Sequence, residues 1–167
     1  MTKMKKRVLL ALSTILIGSI VACGGDPKSE NSEEGHSDHM DQKAEGSELL
    51  QIPKDAKVSF LNLHSGDEVT SPLTLEFGVE GMNVEPAGAL NPGAGHHHLL
   101  IDRGFYERGT VVPADSANIH YGDGSTSTTI ELSPGKHTLT LQFADGYHQS
   151  YGGQMSTSVE IIVVEPQ

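Results

Sequence analysis

From about residue 57 onward the chain alternates between apolar and polar side chains, and this alternation constrains the fold more than any other feature of the sequence. In residues 73–79, for example, every second side chain is apolar. A period of two places those side chains on one face of a β-strand, whereas an amphipathic helix needs a period near 3.6. Because no convincing helical period accompanies the alternation, the sequence predicts an all-β domain.

Short segments of this kind recur with turn residues between them. The predicted strands cover residues 57–63, 73–79, 96–102, 126–132, 137–143 and 156–164, with a further short edge strand within 104–113. The predicted loops, which are rich in glycine and polar residues, include residues 81–95, 118–124 and 146–154. Six or seven short strands with turns at this spacing predict an immunoglobulin-like antiparallel β-sandwich.

The first 22 residues have the features of a signal peptide. Four basic residues within the first seven positions precede an apolar run over residues 8–22, which is too short for a membrane-spanning helix. The run ends in Ile20-Val21-Ala22-Cys23, which resembles the lipobox of bacterial lipoproteins. Cleavage before Cys23 would leave that cysteine lipidated. The alternative is an ordinary secreted protein with a lone cysteine, and a single cysteine permits no intramolecular disulfide.

The residue after the cysteine bears on localisation. Gly24, rather than an aspartate, resembles the pattern of outer-membrane sorting in Gram-negative cells. We therefore expect a lipid-anchored protein of the cell envelope, at the periplasmic face of the outer membrane, although a Gram-positive outer leaflet would serve equally well. Acyl chains hold such a protein at the membrane without any transmembrane helix.

The rest of the chain is predicted to divide into a linker and one folded domain. Residues 23–52 comprise the lipidated cysteine and an acidic linker with almost nothing apolar to bury, and a composition of this kind stays disordered. Residues 53–167 form the sandwich domain. After the signal peptide, 11 − 4 = 7 basic residues face 22 acidic ones, a formal charge of −15. Such a field repels phosphate backbones and attracts cations, so we expect no nucleic acid partner.

Three consecutive histidines open the predicted strand at residues 96–102. On a strand, His96 and His98 share one face, whereas His97 points to the other face with Leu99. Two imidazoles on one face can bind one metal ion, and neutral imidazole suits copper, zinc, nickel or iron. The alternative is a polar strand start with one imidazole packed against the core.

Two further histidines are predicted to join this pair. If the turns alternate between the two ends of the sandwich, then His120 and His148, each in a predicted loop, lie at the same rim as His96 and His98. Met155 follows the His148 loop and is a candidate thioether ligand for Cu(I). Copper is favoured over zinc because the set combines imidazole with thioether and the domain has no cysteine.

The remaining candidates are assigned to supporting or structural roles. His97 points toward the core and is a candidate for packing, for orienting a ligand or for ligation, and Asp102 is a candidate for orienting a ligand imidazole or for ligation. His64 and His137 fall at strand ends on the opposite rim and are interpreted as structural.

Three sequence blocks resemble a bacterial domain of unknown function, family 4399. The blocks are Gly95-His96-His97-His98-Leu99-Leu100-Ile101-Asp102, Asn118-Ile119-His120-Tyr121-Gly122 and Pro134-Gly135-Lys136-His137-Thr138-Leu139. The resemblance runs from about Val58 to the C-terminus. It implies an exported domain with an immunoglobulin-like fold and supplies no activity. Relatives carry a proline-containing, often histidine-bearing turn after the position of His148, and the absence of that turn here weakens the case for a second ligand from this loop.

Three functions compete at this point. The first is a lipid-anchored binding module that holds a transition metal, copper before zinc, at the histidine-rich rim. The second is a copper-dependent redox enzyme similar to superoxide dismutase, which is less favoured because no further acid/base constellation or nucleophile motif accompanies the histidines. The third is a structural or adaptor domain of the envelope whose histidines only donate and accept hydrogen bonds.

Overall fold

The computed structural model describes residues 51–166. The predictions made for the signal peptide, for Cys23 and for most of the acidic linker therefore lie outside the described residues. Within them, no helix has the length and apolar character needed to cross a membrane.

The described residues form nine β-strands and one short 3₁₀ helix, Gly153–Met155. The strands are β1 (Lys57–Phe60), β2 (Glu68–Thr70), β3 (Leu73–Glu80), β4 (Asn83–Val84), β5 (Ala94–Ile101), β6 (Asn118–His120), β7 (Ser127–Ile130), β8 (Gly135–Ala144) and β9 (Ser156–Val164).

The strands pair into two sheets. One sheet has the order β1-β3-β7, and the other has the order β2-β9-β8-β5, with β4 and β6 both pairing along the free edge of β5. β2 runs parallel to β9 and β4 runs parallel to β5, whereas the other pairs are antiparallel. These orders match strands A-B-E and G-F-C of an immunoglobulin domain. The predicted all-β, immunoglobulin-like sandwich is confirmed.

The core lies between the two sheets and consists of the alternating apolar side chains. β3 contributes Leu75 and Phe77, and the facing sheet contributes alternate residues of its central strands: Leu99, Leu139, Leu141, Phe143, Val159, Ile161 and Val163. Each large apolar side chain removed from water stabilises the fold by about 1.5–3 kcal/mol. The period-two pattern therefore reports which face of each strand is buried in the core.

β5 is buried on both of its faces, which explains why its sequence is a continuous run rather than an alternation. The segment 103–117 crosses the outer face of the sheet, where Leu100, Val112 and Ala144 form a second small apolar cluster with Tyr106. The Tyr106 N–H donates to Gln142 Oε1 (2.7 Å) and fixes this segment over β8. Side chains on the outer face of β5 are consequently also shielded from water.

Two predictions about the elements were wrong. Residues 104–113 contain no strand and make only one isolated bridge, between Val111 and Gln149. The predicted loop 118–124 begins with the three-residue strand β6. The strands β2, β4 and β6 span only two or three residues, which is too short for a periodic pattern, and their pairing is determined by the longer strands beside them.

Candidate metal centre

The strand β5 places His96 and His98 side by side on the outer face of its sheet. Both side chains are completely buried, and the burial follows from their central position between β8 and the segment that crosses above them. His97 points the opposite way, into the core, where its ring contacts Phe77 and Phe143 with centroid separations of 5.3 and 5.1 Å. The predicted division of the triplet between two faces is confirmed.

His120 reaches the same face through strand pairing. β6 is antiparallel to β5, and His120 is the direct cross-strand partner of His98. Its ring lies against the backbone of Gly122, so closely that a Cβ atom at residue 122 would overlap the imidazole. Glycine at this position therefore leaves the space that the His120 ring occupies.

His148 comes from the loop after β8, and the buried carboxylate of Asp145 shapes that loop. Oδ1 of Asp145 accepts hydrogen bonds from the N–H groups of Tyr147 and Gln149, both at 2.8 Å, so it is bonded on each side of His148. The His148 N–H also donates to the Asp145 carbonyl (2.9 Å). His148 itself has φ 66°, a left-handed conformation that costs a non-glycine residue energy. The loop bonds keep His148 in this conformation.

The four imidazoles meet at one point. His96 Nε2 lies 3.1 Å from both His98 Nε2 and His148 Nδ1, and one nitrogen from each of the four rings lies within 4.8 Å of all the others. Tetrahedral coordination with metal–nitrogen bonds of about 2.0–2.1 Å has nitrogen–nitrogen edges of about 3.3–3.4 Å. The two 3.1 Å separations are therefore close to the edge that one shared cation requires, and the widest separation, up to 4.8 Å, would have to shorten on binding.

Hydrogen bonding alone does not satisfy these rings. The Nε2 atom of His96 faces two imidazole nitrogens, but a ring nitrogen has either one proton or one lone pair and can bond with only one of them. In addition, His96 Nδ1, His98 Nδ1 and His120 Nε2 are buried without a hydrogen-bond partner among residues 51–166. Buried polar atoms without partners are rare and costly. A cation at the centre would use the lone pairs that point toward one another.

The electrostatics keep the rings of His96, His98 and His120 in the form that binds metals. Burial, reinforced by the neighbouring imidazoles His120 and His148, lowers the pKa of His96 to about 4. The same causes, burial first and then the other rings, lower the pKa of His98 to about 2. Burial and His148 also lower the pKa of His120, against a smaller opposing effect of the Asp123 carboxylate. Neutral imidazole, the form with a free lone pair, is therefore favoured at neutral pH.

Two residues predicted to support the site lie elsewhere. Met155 is completely buried within the core between the sheets, among apolar side chains, whereas the four histidines occupy the outer face of one sheet. Asp102 follows the opposite end of β5, where its Oδ1 accepts a hydrogen bond from the Thr138 N–H (3.0 Å) and its Oδ2 lies 3.0 Å from His137 Nδ1. Asp102 thus orients His137 rather than a ring of the group of four.

The other histidines are separate from the group. His137 is held by Asp102 and by the carbonyl of Ser133, 2.9 Å from its Nε2, in agreement with a structural role. His64 is exposed, with its Nδ1 3.8 Å from Asp67 Oδ2. His97 is completely buried and has no hydrogen-bond partner for either ring nitrogen within the described part of the chain. Burial lowers its pKa to about 4, so it is present as a neutral ring.

Two residues that shape the site were not recognised from the sequence. Asp145 is not among the site residues that the sequence predicts, yet it is buried and positions the His148 loop. An aspartate followed by a glycine and a short polar stretch is a signal for this kind of turn, because the carboxylate bonds the N–H two residues on. Gly122 had no such signal, since its importance depends on a ring packed against it in three dimensions.

Comparison with known proteins identifies a family but no characterised relative. No curated protein and no solved structure matches this chain. The family model described as "Domain of unknown function (DUF4399)" matches residues 75–164, a range that includes all four histidines of the group. The chain belongs to this family, the domains of unknown function DUF4399.

Proposed function

We propose that this domain is a metal-binding module that holds one divalent transition metal ion, copper before zinc, with His96, His98, His120 and His148 as its ligands. The observation that carries the proposal is the convergence of four imidazole nitrogens within 4.8 Å, from two strands and a loop. The crowding of nitrogens at the centre supports it. His96 Nε2 lies 3.1 Å from both His98 Nε2 and His148 Nδ1 and can hydrogen-bond with only one of them, whereas a cation would bond the lone pairs of all three.

The donor set favours Cu²⁺ as the ion. Nitrogen sites bind first-row divalent ions in an order that peaks at Cu²⁺ and places Zn²⁺ below it. With Met155 in the core, the set has no thioether to favour Cu⁺. Four imidazoles also suit the tetragonal geometry of Cu²⁺, whereas the 3.1 Å separations are closer to the tetrahedral edges of Zn²⁺. Zinc is therefore the second candidate.

The arrangement favours holding the ion over using it in a reaction. Catalytic metal sites keep one coordination position open for water or substrate, and closed four-ligand sites are typical of structural or binding roles. Here four protein ligands point at one centre, and two of them are completely buried. These features support a binding module more than a copper-dependent redox enzyme.

The sequence supports a place for this module at the cell envelope. Cys23, at the end of a lipoprotein-type signal, would attach the chain to the membrane through acyl chains, and the acidic linker would separate the domain from the surface. Replacing Cys23 by serine should release the protein from the membrane fraction of expressing cells. Retention of the Cys23→Ser variant in that fraction would contradict the anchor.

A titration of the full chain tests the metal site. Each variant is made in the background His36→Ala/His39→Ala, because those linker histidines can also bind metal weakly. The wild-type site should take up one equivalent of Cu²⁺, measured by calorimetry and by the metal content after gel filtration. His96→Ala/His98→Ala should lose this equivalent. His64→Ala, which removes an exposed histidine, is the matched control and should keep it. Equal uptake by all three would overturn the proposal.

A further inference from the structure

Residues 85–91, between β4 and β5, hydrogen-bond to the chain segments that carry His120 and His148, the two peripheral histidines of the group, and we call them the strap. The Ala87 N–H donates to the carbonyl of Gly122, two residues after His120 (2.9 Å). The next residue, Gly88, donates its N–H to the carbonyl of Gly146, two residues before His148 (2.9 Å). Two adjacent residues of the strap thus bond the two chain segments that carry His120 and His148.

Close packing reinforces the contact between the strap and the His148 loop. A Cβ atom at Gly146 would overlap the carbonyl of Ala89, so only glycine allows this approach. The strap is also fixed at both ends. Asn91 Nδ2 donates to Glu85 Oε2 (2.6 Å), and the Glu85 N–H donates to the Gly95 carbonyl at the start of β5 (2.7 Å). The strap is therefore a closed loop held to β5, which carries the other two ligands.

The four ligands differ in how easily they can move. His96 and His98 belong to a central strand that is paired on both edges, so their displacement requires breaking the sheet. His120 is the last residue of a three-residue edge strand, and His148 lies in a loop. A bound ion leaves only after ligands dissociate, and these two half-buried rings are the ones that can do so first. The strap bonds their backbones together.

We propose that the strap controls the exchange of the metal ion, because it keeps the His120 and His148 segments from separating. This inference rests on the proposed function. It concerns the rate at which the ion enters and leaves rather than the identity of the ligands. Breaking either hydrogen bond to the strap should leave all four imidazoles present but let the peripheral pair open more often.

The first test replaces Ala87 by proline in the full chain, which removes the N–H that bonds Gly122. The matched control is Lys54→Pro, since Lys54 also follows a proline and its N–H bonds no described residue. Copper-loaded proteins are mixed with excess EDTA, and the loss of the Cu²⁺ absorption is followed. Ala87→Pro removes this hydrogen bond and leaves the Gly122 carbonyl without its donor, which should accelerate Cu²⁺ release on the order of tenfold. The variant should still bind one equivalent of Cu²⁺ before EDTA is added. The control should release copper at the wild-type rate.

A second variant keeps the test decisive if Ala87→Pro does not fold, as judged by circular dichroism. Gly146→Ala adds a methyl group that cannot coexist with the Ala89 carbonyl, and should also accelerate release. Its control is Gly104→Ala, where an added Cβ meets nothing within 4 Å. Equal release rates for a folded strap variant and wild type would overturn the role of the strap while leaving the metal site intact. Failure of the wild-type chain to take up copper would overturn both proposals.

Discussion

Two histidine arrangements at opposite ends of β5 have opposite environments. His137, on the neighbouring strand, has an acceptor at each ring nitrogen, the Asp102 carboxylate and the Ser133 carbonyl. In the group of four, no carboxylate of the described residues hydrogen-bonds to a ring, and the ring nitrogens are presented to one another. Burial alone would lower the pKa of His137, but the bonds from Ser133 and Asp102 outweigh it and raise that pKa. Burial and neighbouring rings lower the pKa of His96 and His98.

The difference shows what separates a structural histidine from a candidate ligand. Both ring nitrogens of His137 have hydrogen-bond partners, because its imidazolium form donates to the Asp102 carboxylate and to the Ser133 carbonyl. The four-histidine group is incomplete, since neutral rings that face one another leave lone pairs without a donor. The chemistry of the partner, together with the deeper burial of His96 and His98, distinguishes the two regions.

The largest effect should be on Cu²⁺ affinity, when a single histidine of either region is replaced by alanine. His98→Ala removes a central ligand and should weaken Cu²⁺ binding by more than about hundredfold, the upper range for losing even an indirect partner of a metal ligand. His137→Ala should leave the affinity unchanged within about twofold. Competition titrations against a chelator of known affinity measure both. A comparable loss in His137→Ala would mean that the two regions are not independent.

Metal addition should stabilise the fold through the four-histidine group and not through His137. With free Cu²⁺ at a hundred times the dissociation constant, the free energy of unfolding should rise by about 2.7 kcal/mol, because the ion binds the folded state alone. Urea denaturation with and without metal measures the change. The increase should disappear in His96→Ala and persist in His137→Gln. A stabilisation that survives His96→Ala would place the ion elsewhere.

Apolar substitutions in the metal-free protein should have opposite signs in the two regions. His98→Leu replaces a buried ring that has an unsatisfied nitrogen and should raise the stability of the metal-free protein by roughly 1–2 kcal/mol. His137→Leu removes the hydrogen bonds to Ser133 and to the half-exposed Asp102, so it should lower stability by roughly 1 kcal/mol. Denaturation in the presence of a chelator compares them. Destabilisation by both substitutions would show that the four rings satisfy one another better than their nitrogens indicate.

The smallest effect concerns pH. The raised pKa of His137 contributes stability that is fully present below its unfolded value of 6.5 and is lost as the pH rises through the folded value. The pKa of Asp102 is lowered, since the Thr138 N–H and His137 outweigh its burial, so its contribution is present above 3.8 and is lost as the pH falls. The pair should therefore stabilise the domain most between these values, by less than about 1 kcal/mol because Asp102 is half exposed. The difference between the urea midpoints of wild type and His137→Gln, measured from pH 4 to 8, isolates this contribution. A difference that does not change with pH would contradict it.

Much of this architecture could be predicted because it depends on local period. The alternation in residues 73–79 identified β3 and its buried face. The same period of two placed His96 and His98 on one face of β5 and His97 on the other. The convergence of His120 and His148 on that pair was predicted from the alternation of turns between the two ends of a sandwich. The reason was partly wrong, because His120 lies on the strand β6 and joins the group by pairing with β5, on the outer face of a sheet rather than at a rim.

The parts that could not be predicted depend on contacts between distant segments. Met155 was misplaced because residues 153–155 form a 3₁₀ turn that directs its side chain into the core. The burial of His96 and His98 depends on the segment 103–117, which has no periodic pattern of its own. The role of Asp145 depends on two N–H groups that converge only after the loop has folded.

The shortness of β6 has a consequence for how metal occupancy could be observed. With only three residues paired to one neighbour, this strand has few backbone bonds to resist fraying. An ion bound by both His98 and His120 would link β5 to β6. It would stabilise their pairing as the additional backbone hydrogen bonds of a longer strand would. The amide protons of β6 would then exchange with deuterium slowly in the loaded protein and quickly in the bare one, so this single short strand would report whether the centre is filled.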